Sequence, residues 1–163
     1  MRNLPITEYL VNNAKDFKDD VALVEINPEV EEKNRITWRE YSLIEPSNTN
    51  SLRKEMTWGE FDKKANRFCN LLLSRGIKKG DRVAILLMNS LEWLPVYFGI
   101  LKAGALAVPL NYRYTAEEIK YCLKLSDSSV LVFGSEFIGR VEEICDRIPD
   151  VKYTFYVGED CPT

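Results

Sequence analysis

From Met56 onward, apolar and polar positions follow two periods in turn. Over residues 57–75, Trp58, Phe61, Ala65, Phe68 and Leu72 recur three or four apart, which is one buried stripe of a helix. Gly76 then stands where a helix is capped. Lys78-Lys79-Gly80-Asp81 turns the chain into the apolar run Val83–Met88. A helical pattern over Ser90–Ala103 leads to the run Ala105–Leu110, and another over Ala116–Leu125 leads to Val130–Phe133. A last one near Glu136–Arg147 leads to Tyr153–Val157. The runs are apolar throughout rather than at every second position, which predicts strands covered on both faces. Their regular exchange with helices predicts an α/β fold, a mostly parallel sheet with helices on both faces.

The chain before residue 57 is less regular. Ile6–Phe17 reads as a short amphipathic helix with Tyr9, Leu10, Ala14 and Phe17 on one side. Val21–Ile26 reads as a strand stopped by Asn27-Pro28, Arg35–Ile44 as another strand, and Glu45–Asn50 as a polar loop. The expected organisation is one α/β subdomain over residues 1–163. In it an irregular, hairpin-like lead-in (1–56) precedes the alternating core (57–157).

Local signals fix the helix starts. Thr57 with Glu60, Asn89 with Glu92, and Thr115 with Glu118 have capping-box spacing. Met56 with Phe61, Met88 with Trp93, and Tyr114 with Ile119 are placed as hydrophobic staples. Pro95 falls in the second turn of its expected helix, where it predicts a kink. The near copies Thr37-Trp38-Arg39-Glu40-Tyr41 and Thr57-Trp58-Gly59-Glu60-Phe61 have no third member at a fixed period, so no repeat architecture follows.

Composition removes function classes. Hydrophobic residues at 45% and charged residues at 29% are ordinary for a soluble domain. A net charge of −3 argues against a general nucleic-acid surface. The chain has no histidine, which excludes Ser-His-Asp and Cys-His catalysis and the commonest metal ligand. Its four cysteines, Cys69, Cys122, Cys145 and Cys161, form no C-x-x-C pair, which speaks against structural zinc and for reduced thiols. The first twenty residues are charged, against a secretory signal. Glu92, Pro95, Lys102 and Gly104 interrupt the apolar stretch 91–110, against a transmembrane segment. A cytoplasmic location is the expectation.

Neither G-x-G-x-x-G nor G-x-x-x-x-G-K-[ST] occurs, and the first core strand is followed by Asn89-Ser90-Leu91-Glu92 instead of glycines. Glu117-Glu118 and Glu142-Glu143 are adjacent on helices and point apart, unlike an acid–base pair. Trp58, Trp93 and Tyr97 lie on apolar stripes and read as core. No catalytic residue and no metal ligand is assigned. One polar cluster, Asn111-Tyr112-Arg113-Tyr114, lies between a strand's carboxyl end and a helix start, where α/β proteins bind ligands. Arg113 there can hold a phosphate bidentately; the competing reading is an exposed turn arginine paired with Glu117.

Three segments in this order carry a resemblance. They are Met56-Thr57-Trp58-Gly59-Glu60-Phe61 with Ala65-Asn66-Arg67, then Gly80–Ile85 with Asn89–Glu92, then Leu101-Lys102-Ala103-Gly104 through Pro109-Leu110-Asn111. Residues 56–144 thereby resemble the N-terminal part of the adenylate-forming acyl-CoA synthetases. Such enzymes activate a carboxylic acid with ATP and magnesium to an acyl-adenylate and then transfer the acyl group to CoA. The resemblance implies the N-terminal subdomain of that fold, truncated, from a parent that uses ATP, Mg2+ and CoA on a carboxylic acid, a fatty acid first among them. No segment matches the family's phosphate loop, magnesium-binding acid or catalytic lysine. The chain alone is therefore expected to bind no cofactor and to have no ligase activity. By the same resemblance, Arg113 helps dock a CoA phosphate in the complete enzyme. The implied partners are the remainder of the parent chain and, through an exposed core, a second copy. The alternatives are a standalone non-catalytic α/β interaction module and a fragment of an amino-acid-activating adenylation domain.

Overall fold

A computed structural model describes residues 4–26, 36–38, 41–43 and 53–158. The chain divides into two compact units, residues 1–62 and 63–163.

In the first unit, α1 (Ile6–Asp16) leads to β1 (Val21–Ile26), which pairs antiparallel with β4 (Arg53–Thr57). The expected strand over 35–44 is instead two short strands, β2 (Ile36–Trp38) and β3 (Tyr41–Leu43), paired antiparallel with Trp38 opposite Tyr41. A single continuous alternation would put positions 38 and 41 out of phase, whereas the pairing sets them opposite each other. The expected Asn27-Pro28 stop and the Glu45–Asn50 loop lie outside the described residues. β4 had no apolar signal because Arg53, Lys54 and Glu55 are exposed; only Met56 is buried.

α2 (Trp58–Ser74) starts in the first unit. Thr57 N–H donates to the Glu60 carboxylate at 2.9 Å, and Glu60 N–H donates to the Thr57 hydroxyl at 3.3 Å, the reciprocal box expected. Trp58 and Gly59 N–H donate to the carbonyls of Asp20 and Lys18, so the helix's first free donors are satisfied.

The second unit holds the parallel sheet. β5 (Arg82–Leu86), α3 (Trp93–Lys102), β6 (Leu106–Pro109), α4 (Ala116–Leu125), β7 (Val130–Gly134), α5 (Ile138–Ile144, between two single 3-10 turns) and β8 (Tyr153–Val157) follow in sequence. The strand order is β6-β5-β7-β8, all parallel. Val83, Ile85, Leu87, Val130 and Val132 pack with Cys69 and Leu72 of α2 and Val96 and Ile100 of α3. The residues between them, Ala84, Leu86, Leu131 and Phe133, pack with Ile119 and Leu123 of α4 and Val141 and Ile144 of α5. Each central strand thus buries both faces, which is why its sequence is apolar without alternation.

α3 differs from expectation at its start. The helix begins at Trp93, and Glu92 before it already has helical backbone angles and makes no side-chain cap. The Asn89–Glu92 box and the Met88–Trp93 staple are therefore absent, since both need a helix starting at Ser90. Pro95 is the third helical residue, where no intrahelical N–H bond is lost, so it calls for no kink. The last helix is also shorter than the 136–147 pattern, because 3-10 turns occupy Ser135–Phe137 and Cys145–Arg147.

α2 and α3 approach closely. A Cβ on Gly99 would lie 2.9 Å from the Ala65 carbonyl oxygen and 3.0 Å from Phe68 Cβ. A Lys64–Glu92 ion pair and a 2.7 Å bond from Lys102 Nζ to Asn66 Oδ1 tie the same pair of segments.

At α4 the Thr115 hydroxyl accepts from Glu118 N–H, while Thr115 N–H donates back to the Glu118 carboxylate. The two Thr115 donors, backbone amide and then hydroxyl, hold the Glu118 carboxyl below its ordinary range. Thr115→Ala is expected to cost about 1 kcal/mol near neutral pH. A carboxylate held low in the folded state adds stability above its unfolded pKa of about 4.3 and loses it as pH falls through the folded value. The gap between wild type and Thr115→Ala should therefore narrow on acidification, read as melting temperature against pH; a gap independent of pH would remove Glu118 from the cap.

Candidate functional site

The sheet order decides where ligand-binding loops gather. From β5 the chain crosses by α3 to β6; it then returns over the opposite face by α4 to β7 and continues by α5 to β8. The direction of winding reverses between β5 and β7, so the crevice of a doubly wound sheet opens at their carboxyl ends. The exits there are Met88–Ser90 and Gly134–Glu136. Glu136 folds back over Gly134, where an added Cβ would lie 2.7 Å from Glu136 Oε2.

The predicted cluster lies one strand away, at the exit of β6. Leu110 N–H donates to the Ile85 carbonyl at 2.8 Å and holds the exit against β5. Asn111 Oδ1 accepts from Arg113 N–H at 2.9 Å, and the Asn111 carbonyl accepts from Tyr114 N–H at 3.0 Å, an Asx-turn inside a β-turn. The chain passes from this turn straight into the Thr115 cap of α4. Asn111, Tyr112 and Arg113 are exposed and Tyr114 is half-buried.

Arg113 does not pair with Glu117. That carboxylate is taken by Lys120 and Arg147, which hold it below its ordinary range. Arg113 lies instead along its neighbour, its guanidinium carbon 5.4 Å from the Tyr112 ring centre and Nε–H donating to the Tyr112 hydroxyl at 3.0 Å. That contact uses Nε and leaves the two terminal nitrogens out of it.

A second arginine, not singled out in the sequence, sets the turn. Arg140 of α5 donates through Nη1 to the carbonyls of Tyr112, at 2.7 Å, and Tyr114, at 3.0 Å, and its guanidinium lies 5.5 Å from the Phe137 ring centre. Its partners are backbone carbonyls more than twenty residues away, so no side-chain motif announces the contact.

Among the described residues no group of three or more His, Cys, Asp or Glu gathers to hold a metal ion. Cys69 is buried in α2, and burial raises its thiol pKa, opposed by the smaller effect of Lys102. Cys122 and Cys145 are also free thiols; Cys161 lies outside the described residues. A cleft of ≈490 Å³ lies between the end of α4 and the segment entering β8, lined by Tyr121, Lys124, Arg147 and Val151 among others. It is at the amino end of the sheet, and Arg113 does not line it. No helix among the described residues is long and apolar enough to cross a membrane.

Comparison with known proteins gives a concordant result. Residues 45–160 match the family model described as AMP-binding enzyme. The chain is 39% identical over 106 residues to a medium/long-chain-fatty-acid–CoA/3-oxocholest-4-en-26-oate–CoA ligase of Mycolicibacterium smegmatis, covering 65% of this chain and 19% of that protein. It is 36% identical over 118 residues to the long-chain-fatty-acid–CoA ligase FadD13 of Mycobacterium tuberculosis, covering 72% of this chain and 23% of that one. The crystal structure of the N-terminal domain of FACL13 from Mycobacterium tuberculosis superposes with a TM-score of 0.73 at 27% identity, covering 94% of this chain and 34% of that chain. The chain thus spans about a fifth of the length of the curated relatives it matches. With the doubly wound sheet and the three sequence segments in their order, these matches establish that the chain belongs to the AMP-binding enzyme family.

Proposed function

We propose that this chain is the N-terminal α/β subdomain of an AMP-forming acyl-CoA synthetase, supplying scaffold to a reaction whose chemistry is carried elsewhere in the longer enzyme. The observation that carries this is the joint match of family and coverage: about 70% of the chain matches the family model, yet the relatives named as fatty-acid–CoA ligases are several times longer. In the parent a carboxylic acid, a fatty acid by the names of those relatives, reacts with ATP to give the acyl-adenylate and pyrophosphate, and CoA then takes the acyl group. The location proposed for it is cytoplasmic.

The residues here fit only part of that ligand set. The ATP and magnesium contacts of the parent are proposed to come from its other segments. Arg113 fits one contact to a CoA phosphate. It is exposed, its terminal nitrogens take no part in the Tyr112 contact, and Tyr112, the Asx-turn and Arg140 brace the turn that carries it. Its part is to bind and orient, with no proton to move. We assign residues 1–56 as the lead-in to the alternating core and expect no ligase activity from residues 1–163 alone.

In the full-length parent, Arg113→Ala is expected to raise KM for CoA about tenfold, a charged contact of roughly 1.5 kcal/mol, and to leave acid-dependent pyrophosphate exchange near wild type. Equal loss in both half-reactions would reject the phosphate role. Acid-dependent pyrophosphate exchange by residues 1–163 alone would overturn the scaffold reading.

A further inference from the structure

Arg113 lies in a turn where two peptide units are each held at both ends. The unit joining Tyr112 to Arg113 gives its N–H to Asn111 Oδ1, at 2.9 Å, and its carbonyl accepts from Arg140 Nη1, at 2.7 Å. The unit joining Tyr114 to Thr115 gives its N–H to the Glu118 carboxylate, at 2.8 Å, and its carbonyl accepts from the same Arg140 nitrogen, at 3.0 Å. In the unit between them, Tyr114 N–H is held by the Asn111 carbonyl at 3.0 Å. The N–H ties are local in sequence, whereas both carbonyl ties come from one side chain on another helix. A peptide fixed at its N–H alone can rock about that bond. Fixing its oxygen as well sets the plane, because the unit is rigid, and so sets the direction in which the next side chain leaves the backbone.

Arg140 acts from a fixed base. Around it Phe137, Val141 and Ile144 are buried in the core, and its guanidinium lies over the Phe137 ring. One terminal nitrogen carries two hydrogens, enough to reach both carbonyls at once, while the planar group keeps its stack on the ring. We propose that Arg140 is a positioning residue for the CoA-phosphate contact made by Arg113. It touches no ligand and acts by fixing the two peptide planes of the Arg113 turn. The proposal rests on the reading of Arg113 as that contact. Without Arg140 the turn still forms through Asn111 and Glu118, but the backbone at Arg113 takes up more orientations. The phosphate must then select one of them, at an entropic cost that the intact turn has already met during folding.

The test compares wild type, Arg113→Ala, Arg140→Met and the double variant in the full-length parent. Methionine keeps an apolar stem on Phe137 and removes every donor. Arg140→Met should raise KM for CoA about fivefold, with kcat at saturating CoA and acid-dependent pyrophosphate exchange near wild type. In the Arg113→Ala background the same substitution should change KM by less than about twofold, since nothing is left to position. Arg140→Lys, which keeps one donating nitrogen, should fall between wild type and Arg140→Met. A merely structural role would instead lower kcat and pyrophosphate exchange together, whatever stands at position 113. If Arg113→Ala raises KM for CoA, a wild-type KM in Arg140→Met overturns the proposal and leaves the reading of Arg113 standing. Effects of the two substitutions that multiply have the same meaning. An Arg113→Ala protein with wild-type KM for CoA overturns both. If circular dichroism shows that Arg140→Met has unfolded, Arg140→Lys in the two backgrounds decides by the same criteria.

Discussion

Gly99→Val is expected to lower stability by about 3 kcal/mol, the upper end for inserting bulk into a packed interior. For a chain of this length that is a fall of about 6–12 °C in melting temperature. The obstacle is backbone. A Cβ there lies 2.9 Å from the Ala65 carbonyl oxygen, and Ala65 is fully buried in the middle of α2, so the atom in the way cannot rotate aside. The two helices must separate, and the Lys64–Glu92 and Lys102–Asn66 ties at their flanks resist that movement. Gly139 is the internal control: it sits in α5 with open space where a Cβ would go. Gly139→Ala should stabilise by about 0.5–1 kcal/mol through helix propensity. Thermal melts of the two variants should move in opposite directions; a Gly99→Val protein melting with wild type would mean that the helices do not approach as described.

Gly104→Val should be the next largest, about 2 kcal/mol. The cause here is torsional. Gly104 has φ +75°, and the left-handed region costs an L-residue roughly 1–2 kcal/mol, most for a β-branched one. Three hydrogen bonds fix the corner: Gly104 N–H to the Leu101 carbonyl, Ala105 N–H to the Ile100 carbonyl, and Gly80 N–H to the Gly104 carbonyl. The chain therefore cannot relax to negative φ without breaking the turn that joins α3 to β6. Lys79 Cβ would lie 3.4 Å from the new Cβ, an ordinary contact, so the torsion carries the cost. Gly104→Asn, whose short polar side chain tolerates this region, should lose about half as much. Denaturant melts ranking wild type, Asn and Val in that order would support the torsional account. Asn and Val falling equally would contradict it.

The core of the fold was legible because each central strand is buried on both faces. Val83–Leu87 and Val130–Phe133 are apolar at every position, and their flanking helices carry stripes that no strand period can imitate. The Thr57 and Thr115 boxes were legible because a cap is local: four residues contain both donors and both acceptors. Asn89–Glu92 has the same spacing without the cap, because the helix starts at Trp93, and spacing does not report which turn is helical. The placement of Arg113 was readable from its position after a strand, whereas its contacts were not. Glu117 is the nearer acid in sequence, yet Lys120 on the next turn and Arg147 of a distant turn occupy it. Arg140 left no trace at all, because backbone carbonyls have no sequence signature.

The strand order has a consequence for the order in which the chain is made. β5 ends at Leu86 and its first neighbour β6 is complete by Pro109, so a β5–α3–β6 unit can close early from local contacts. The other flank of β5 belongs to β7, which begins only at Val130. As synthesis proceeds from the amino end, the strand that finishes at the centre of the sheet spends the interval between Pro109 and Val130 as an open border. Ala84 and Leu86, wholly buried in the finished protein against α4 and α5, are then the uncovered part of the nascent one. That interval spans residues 110–129, with α4 inside it, so the helix that covers the open face is made before the strand that closes the border.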